Sequence, residues 1–191
     1  MVAVPDDAPP QDRPGVSPSI RSYPPDLTSQ LGDPVFIAYL AIAFILFIVV
    51  VLILWADRTR YMRLVGTTAA PNPLILILLS FFWAFALAYG AYRGEMGASA
   101  NGSPGLVLLV FLLYWFLMLM FFYTFPRPLH RSSLFFLVVA VLLNMWLLYL
   151  CRHDPIAFAL IGLVLLFTIY TTYWTYTVRE KERKEEGQVD N

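Results

Sequence analysis

Five long runs without a charged residue constrain this chain more than any other feature of its sequence. They cover residues 34–56, 64–92, 96–126, 132–151 and 155–178. A helix needs about 20 apolar residues to cross the roughly 30 Å of hydrocarbon in a bilayer, so each run suits one crossing. Backbone groups in lipid must be paired within a helix or a closed barrel, and the alternating ten-residue segments of a barrel are absent. The sequence therefore predicts an all-α integral membrane protein with five transmembrane helices.

Prolines mark where these helices begin. Pro34, Pro73, Pro104 and Pro155 stand just before or within four of the first turns, where a missing N–H is tolerated. Together with the charged residues they divide the chain into a transmembrane domain, 34–178, and two tails. The predicted helices are 35–56, 74–92, 105–125, 133–151 and 156–178.

Composition agrees with a bilayer as the main partner of this chain. Of its 191 residues 59% are apolar and 14% are charged, whereas a globular domain carries about 25% charged residues. The formal net charge is zero, which disfavours nucleic acid as a partner. A single cysteine, Cys151, excludes an intramolecular disulfide and a thiolate metal cluster.

Positive charges predict the orientation. With five crossings, the first loop, the third loop and the C-terminal segment share one side of the membrane, and these segments are the richest in Arg and Lys. Because positive loops stay in the cytoplasm, we expect the N-terminus outside and the C-terminus cytoplasmic, in a multi-pass protein of an unspecified membrane. The charges concerned are Arg58, Arg60, Arg63, Arg127, Arg131, Arg179, Lys181, Arg183 and Lys184.

The two tails and one loop carry weaker signals. Residues 1–33 are rich in Pro, Ser and Asp and poor in apolar residues, which predicts disorder. Residues 179–191 form a charged cytoplasmic tail that is expected to continue the last helix into water. Asn101-Gly102-Ser103 matches a glycosylation acceptor on the outer side.

Nothing in the sequence indicates an enzyme. The predicted helices contain no ionisable Asp, Glu, Lys or Arg, which disfavours proton relays, ion-coupled carriers and voltage sensors. His130 and His153 fall on opposite sides of the predicted membrane, so we expect no metal and no cofactor. The segment Arg152-His153-Asp154 is interpreted as a polar turn or, less simply, as a site for a lipid headgroup.

A stripe of small residues on the second helix predicts close helix packing. Side chains of this size let two backbones approach. The stripe could serve the bundle itself, or it could join copies or partners in a homo- or hetero-oligomer. It consists of Ser80, Ala84, Ala88 and Ala91.

Tryptophans within the predicted helices, accompanied by a few uncharged polar residues, form the candidate ligand site. One interpretation is packing within a subunit of a membrane assembly. The sharper one is a receptor-like cavity for a flat apolar ligand such as a sterol or tetrapyrrole, with Asn144 or Thr171 fixing its orientation by a hydrogen bond. A carrier or channel for a small solute is the alternative from another class. The tryptophans are Trp83, Trp115, Trp146 and Trp174.

Two short segments resemble the TspO/translocator family, the tryptophan-rich sensory proteins. Trp83 with Ala88-Tyr89-Gly90-Ala91-Tyr92 is similar to that family's Trp…Tyr-Gly-Ser-Tyr segment, and Arg60–Leu64 with Ala70–Pro73 is similar to its Trp-Tyr…Leu-Lys-Pro…Pro-Pro loop. Asn72 splits the double proline, and the fifth helix lacks the family's Pro-Tyr…Trp…Leu-Asn pattern. The resemblance implies five helices, an external N-terminus, and porphyrin or sterol ligands.

Overall fold

The computed structural model describes residues 32–59, 73–100, 105–127 and 130–189, and its side chains in 32–59, 78–97, 105–127 and 132–181. The predicted disordered tail up to residue 31, the first-loop segment of the TspO resemblance and the Asn101 acceptor lie outside these ranges. The described parts form five helices. They are α1 (Pro34–Ala56), α2 (Pro73–Ala100), α3 (Leu106–Thr124), α4 (His130–Leu150) and α5 (Pro155–Val189).

Four of these helices are long and apolar enough to cross a membrane. The qualifying segments in the described residues are Pro34–Ala56, Leu106–Thr124, Ser132–Leu150 and Pro155–Lys181. Helix α2 does not qualify over the part whose side chains are described, 78–97, which includes Arg93 and Glu95. The protein is therefore an all-helical membrane-type bundle with at least four apolar candidate spans.

Helix α2 contacts each of the other four helices. The helices form a ring in the order α1, α2, α5, α4, α3, and α2 also contacts α3 and α4 across it. Small side chains make this central position possible, since Ala84, Ala88 and Ala91 are buried. The predicted small-residue stripe thus packs inside one chain, and an oligomer through it would have to displace these contacts.

The helix starts follow from local sequence. Asp33 accepts a hydrogen bond from the Val35 N–H at 2.8 Å, and Asp154 accepts from the N–H groups of Ile156 and Ala157, both at 2.9 Å. Each aspartate precedes a proline at the first helical position, an arrangement that satisfies the free N–H groups of a first turn. Helix α3 starts after Gly105, whose φ of 81° lies in the left-handed region that favours glycine.

Helix α2 is longer than its charge-free run predicted, because it continues from Tyr92 to Ala100. Helix α5 continues from Val178 to Val189, as expected for the charged C-terminal segment. The extension of α2 changes the interpretation of its charges, because Arg93 and Glu95 belong to a packed helix and not to a loop.

Candidate functional site

The middle of the bundle contains a layer of touching aromatic rings from α2, α3 and α5. The ring centroid of Trp83 lies 5.1 Å from that of Trp115 and 5.9 Å from that of Tyr114. The Phe167 ring closes the layer, 6.1 Å from Trp83. The structure therefore brings together Trp83 and Trp115, two of the residues proposed for the ligand site.

Polar groups are built into the same layer. The hydroxyls of Tyr114 and Thr168 are 2.7 Å apart, and Thr168 also donates to the Val164 carbonyl at 2.8 Å. The indole N–H groups of Trp83 and Trp115 are buried, and neither has a hydrogen-bond partner among the described residues. The layer thus holds unused donors in an apolar setting, where an unpaired polar group is costly.

Asn144 on α4 lies at the level of this layer. Helices α4 and α5 are antiparallel: Ser133 bonds to Arg179 near one end, and Leu148 faces Gly162 nearer the other. This register places Asn144 level with Phe167. The residue is fully buried, and neither atom of its amide has a partner among the described residues.

The other three predicted site residues lie apart from this layer. Trp174 packs on Phe125, with centroids 5.6 Å apart, almost two turns further along α5. Thr171 uses its hydroxyl to donate to the Phe167 carbonyl at 2.9 Å. Trp146 is 45% exposed on the outer surface of the bundle. The tryptophans therefore do not share one site.

A buried ion pair lies at the end of the bundle where α1, α3 and α5 begin. Nε and Nη2 of Arg93 both lie 2.8 Å from Oδ2 of Asp154, while Oδ1 of the same carboxylate caps α5. The exposed fractions of the two side chains are 5% and 6%. A buried pair in which every carboxylate oxygen is bonded avoids most of the cost of desolvating a charge.

Three further bonds join α2 to the starts of other helices at this end. The Tyr92 hydroxyl donates to Oδ2 of Asp33 at 2.7 Å. Glu95 accepts from the N–H groups of Gly105 at 2.5 Å and Leu108 at 3.3 Å. Within four residues, α2 thus contacts the N-termini of α1, α5 and α3, each through a carboxylate at a helix start, where negative charge is favoured.

This polar cluster is not predicted from the sequence, because charged residues there mark the limits of the apolar runs. The runs place Arg93 in a loop and Arg152-His153-Asp154 in a single surface turn. Asp154 in fact turns inwards, whereas Arg152 is exposed and stacks over the Tyr149 ring at 4.1 Å. The repeated Asp-Pro pair at 33–34 and 154–155 was the available signal, since it is a typical N-cap sequence.

Cys151 lies in the turn between α4 and α5, three residues before Asp154 of the polar cluster. Its sulfur lies 3.9 Å from the Gly90 carbonyl oxygen, and a Cβ added to Gly94 would overlap it. Burial, and then the negative charges of Asp154 and Glu95, raise the pKa of the Cys151 thiol to about 12. The thiol is therefore a packing group and a poor nucleophile at neutral pH.

The opposite end of the bundle carries positive charge. Arg127 forms an ion pair with Asp57 at 3.5 Å and lies over the Tyr123 ring at 3.5 Å. Arg179 bonds to Ser133. These contacts join α1, α3, α4 and α5 near their other ends, so both ends of the bundle are held by polar bonds between helices.

Searches against protein-family models, curated proteins and solved structures found no match to this chain. The resemblance to the TspO/translocator family stays a prediction.

Proposed function

We propose that all five helices cross the membrane, with the N-terminus outside and the C-terminus in the cytoplasm. Support for α2 as the remaining span comes from its charge-free run, residues 64–92, and from its contacts with each of the other four helices. Support for the orientation comes from charge. The end that would face outwards carries Asp33, Arg93, Glu95, Arg152 and Asp154, and the other end carries Asp57, Arg58, Arg127, Arg179, Glu180 and Lys181. The second set is the more positive, as expected of a cytoplasmic side.

We propose, further, that the protein is a non-enzymatic receptor-like membrane protein that binds a hydrophobic molecule bearing one polar group, such as a sterol or a tetrapyrrole. The observation that carries this proposal is Asn144, which is fully buried at the level of the aromatic layer and whose amide atoms have no hydrogen-bond partner among the described residues. An unpaired buried polar group costs about 1–3 kcal/mol. A leucine there would avoid that cost, so the amide has a use that packing alone does not require.

The chemistry of the layer suits such a ligand. A hydroxyl or carbonyl on the ligand can accept from Nδ2 of Asn144, and a hydroxyl can also donate to Oδ1. The rings of Trp83 and Trp115 supply apolar faces of the kind on which flat ligands stack. Because the rings touch one another, a ligand would enter either through a rearrangement of these rings or along a lateral path between α4 and its neighbours.

The test is a titration of the purified protein in nanodiscs with a sterol and with a porphyrin, followed by tryptophan fluorescence. We expect saturable quenching that weakens at least tenfold in Asn144→Leu, which keeps the side-chain volume and removes the amide. Trp146→Leu is the matched control on the same helix, because Trp146 faces outwards. Equal binding by wild type and Asn144→Leu would contradict the proposed site, and loss of binding in Trp146→Leu alone would move it to the outer surface.

A second candidate is a structural subunit of a larger membrane assembly. The aromatic contacts of Trp83 with Trp115, Tyr114 and Phe167 favour it, because rings in mutual contact are what a packed interior requires. Isolation in mild detergent separates the two ideas: a stable partner chain would support the assembly, whereas a copurified lipid-like molecule would support ligand binding.

The carrier or channel alternative has one supporting observation. Buried polar groups occur at three levels of the bundle, represented by Tyr39, Asn144 and Thr175, each with an unpartnered atom among the described residues. Such a series could line a path for a small solute. Saturable flux in proteoliposomes, reduced by Asn144→Leu, would favour transport over binding.

A further inference from the structure

One side of α4 is buried, and Asn144 stands in the middle of it. The buried residues are spaced by four and three positions, which places them on one face of the helix. Three of them are aliphatic, and the polar residue at the end of the row, Ser133, bonds to Arg179. Asn144 therefore lies in an apolar stripe, away from the polar bonds at that end of the bundle. The stripe consists of Ser133, Leu137, Ala140, Asn144 and Leu147.

Asn144 needs a donor and an acceptor side by side. Within the described part of the chain, neither Nδ2 nor Oδ1 of this residue has a hydrogen-bond partner. Nδ2 donates and Oδ1 accepts, and both are attached to the same carbon. A buried threonine such as Thr168 differs, because its hydroxyl donates to the Val164 carbonyl at 2.8 Å. A molecule that satisfies Asn144 must therefore present one acceptor and one donor next to each other.

A single hydroxyl or a ketone matches this pair of atoms poorly. To satisfy both, one hydroxyl oxygen would have to accept from Nδ2 and donate towards Oδ1 at the same time. Both bonds would then bend away from the nearly straight geometry that hydrogen bonds prefer. A ketone accepts from Nδ2 and leaves Oδ1 without a donor. With either group, part of the cost of burying the amide stays in place.

We infer that the ligand binds Asn144 through a cis-amide group, as in a lactam ring. The N–H and C=O of a cis-amide lie side by side, so they form two parallel, nearly straight bonds with Oδ1 and Nδ2. A carboxylic acid offers the same pair only when it is protonated, which is unfavourable at pH 7 for a group that ionises near pH 4. The inference rests on the proposed ligand site and names the chemical group that this site recognises.

The aromatic layer at the level of Asn144 also favours a carbonyl oxygen. The indole N–H groups of Trp83 and Trp115 can only donate, and both are buried without a partner among the residues described. Because Thr168 uses its own proton on the Val164 carbonyl, the Tyr114 hydroxyl donates to Thr168 and has no second proton to give. The unused groups of the layer are therefore mostly donors, which suits the second lone pair of a lactam carbonyl.

A matched pair of flat probes tests the inference in nanodiscs. Phenanthridinone is a tricyclic lactam, and N-methylphenanthridinone has the same ring system without the N–H. We expect the lactam to quench tryptophan fluorescence saturably, with a dissociation constant about tenfold lower than that of the analogue, which loses the bond to Oδ1. The two probes should bind Asn144→Leu equally. Trp146→Leu, on the outer surface of the same helix, should keep the difference.

The outcomes separate this inference from the proposed function. Equal binding of the two probes to the wild type, a measurement that depends on no variant, would overturn the inference. A difference that persists in Asn144→Leu would also overturn it, because the methyl group would then only be excluded by its size. A sterol or a porphyrin that binds through Asn144 while the lactam does not bind would overturn the inference and leave the proposed function standing. Absence of saturable binding by all of these molecules would contradict both.

Discussion

Arg93 and Asp154 form a buried ion pair in which one carboxylate oxygen bonds to the guanidinium and the other caps α5. The two residues are 61 positions apart in sequence, so the pair joins the centre of the bundle to its last helix. Because the same aspartate starts α5, the pair also fixes where that helix begins relative to α2.

Arg93→Leu should destabilise the protein strongly. Removing one partner leaves a buried, uncompensated carboxylate, which costs about 3–5 kcal/mol. The double variant Arg93→Leu/Asp154→Asn should recover part of the loss, because an amide keeps an oxygen for the cap and carries no charge. Thermal unfolding in nanodiscs measures both, with the exposed Arg152→Gln as control. A single variant as stable as wild type would show that the pair contributes little.

Gly94→Ala should disturb the contact between α2 and the turn after α4. The added Cβ would overlap the sulfur of Cys151, so either that side chain or one of the two helices must shift. Gly97→Ala on the same helix is the control, since a Cβ there meets nothing within 4 Å and alanine favours a helix by about 0.5–1 kcal/mol. Adding Cys151→Ala should partly rescue Gly94→Ala. Equal melting temperatures for the two glycine variants would contradict this geometry.

Ala88→Leu should prevent the close approach of α2 to its neighbours. Ala88 is fully buried, and extra methylenes in a packed interior cost about 1–3 kcal/mol. We expect loss of monodisperse protein on size-exclusion chromatography, and a similar effect for Ala84→Leu. The control is Phe85→Leu, between them on the exposed side of α2. If all three variants elute like wild type, the alanines do not set the helix spacing.

Native Cys151 should resist thiol reagents. The side chain is buried and its pKa is raised to about 12, so thiolate is scarce in the folded protein up to about pH 10. An unfolded chain ionises near its ordinary pKa of about 8.5, so stability from this group declines as pH rises above that value. Maleimide labelling with and without denaturant measures the difference. Rapid labelling of the folded protein at pH 7 would contradict the burial.

Because native Cys151 is expected not to react, cysteine labelling gives a direct test of the topology. Ser17→Cys in a Cys151→Ser background should react with an impermeant reagent applied to intact cells, if the N-terminal tail is outside. A reporter cysteine at Gln188, in the C-terminal tail, should react only after permeabilisation. The reverse pattern would invert the proposed orientation.

The sequence by itself predicted five helices with the character of membrane spans, and the structure confirms five helices, four of which are long and apolar enough to cross a membrane over their described residues. Charge-free runs and prolines placed all five helices, and Pro34 and Pro155 begin α1 and α5. This works because lipid leaves the backbone few alternatives, so hydrophobic length and helix breakers suffice.

Only the tertiary structure decided how the polar residues are used. A charged residue can end a helix, or it can lie on a helix and pair with a distant partner. The sequence does not distinguish Arg93 in a loop from Arg93 bonded to Asp154, because the partner belongs to another helix. The same reason explains the tryptophans: Trp83 and Trp115 meet in the core, whereas Trp146 faces outwards. Apolar residues occur on every side of these helices, so the sequence lacks the polar face that would show which side packs inwards, and only the contacts between helices decide it.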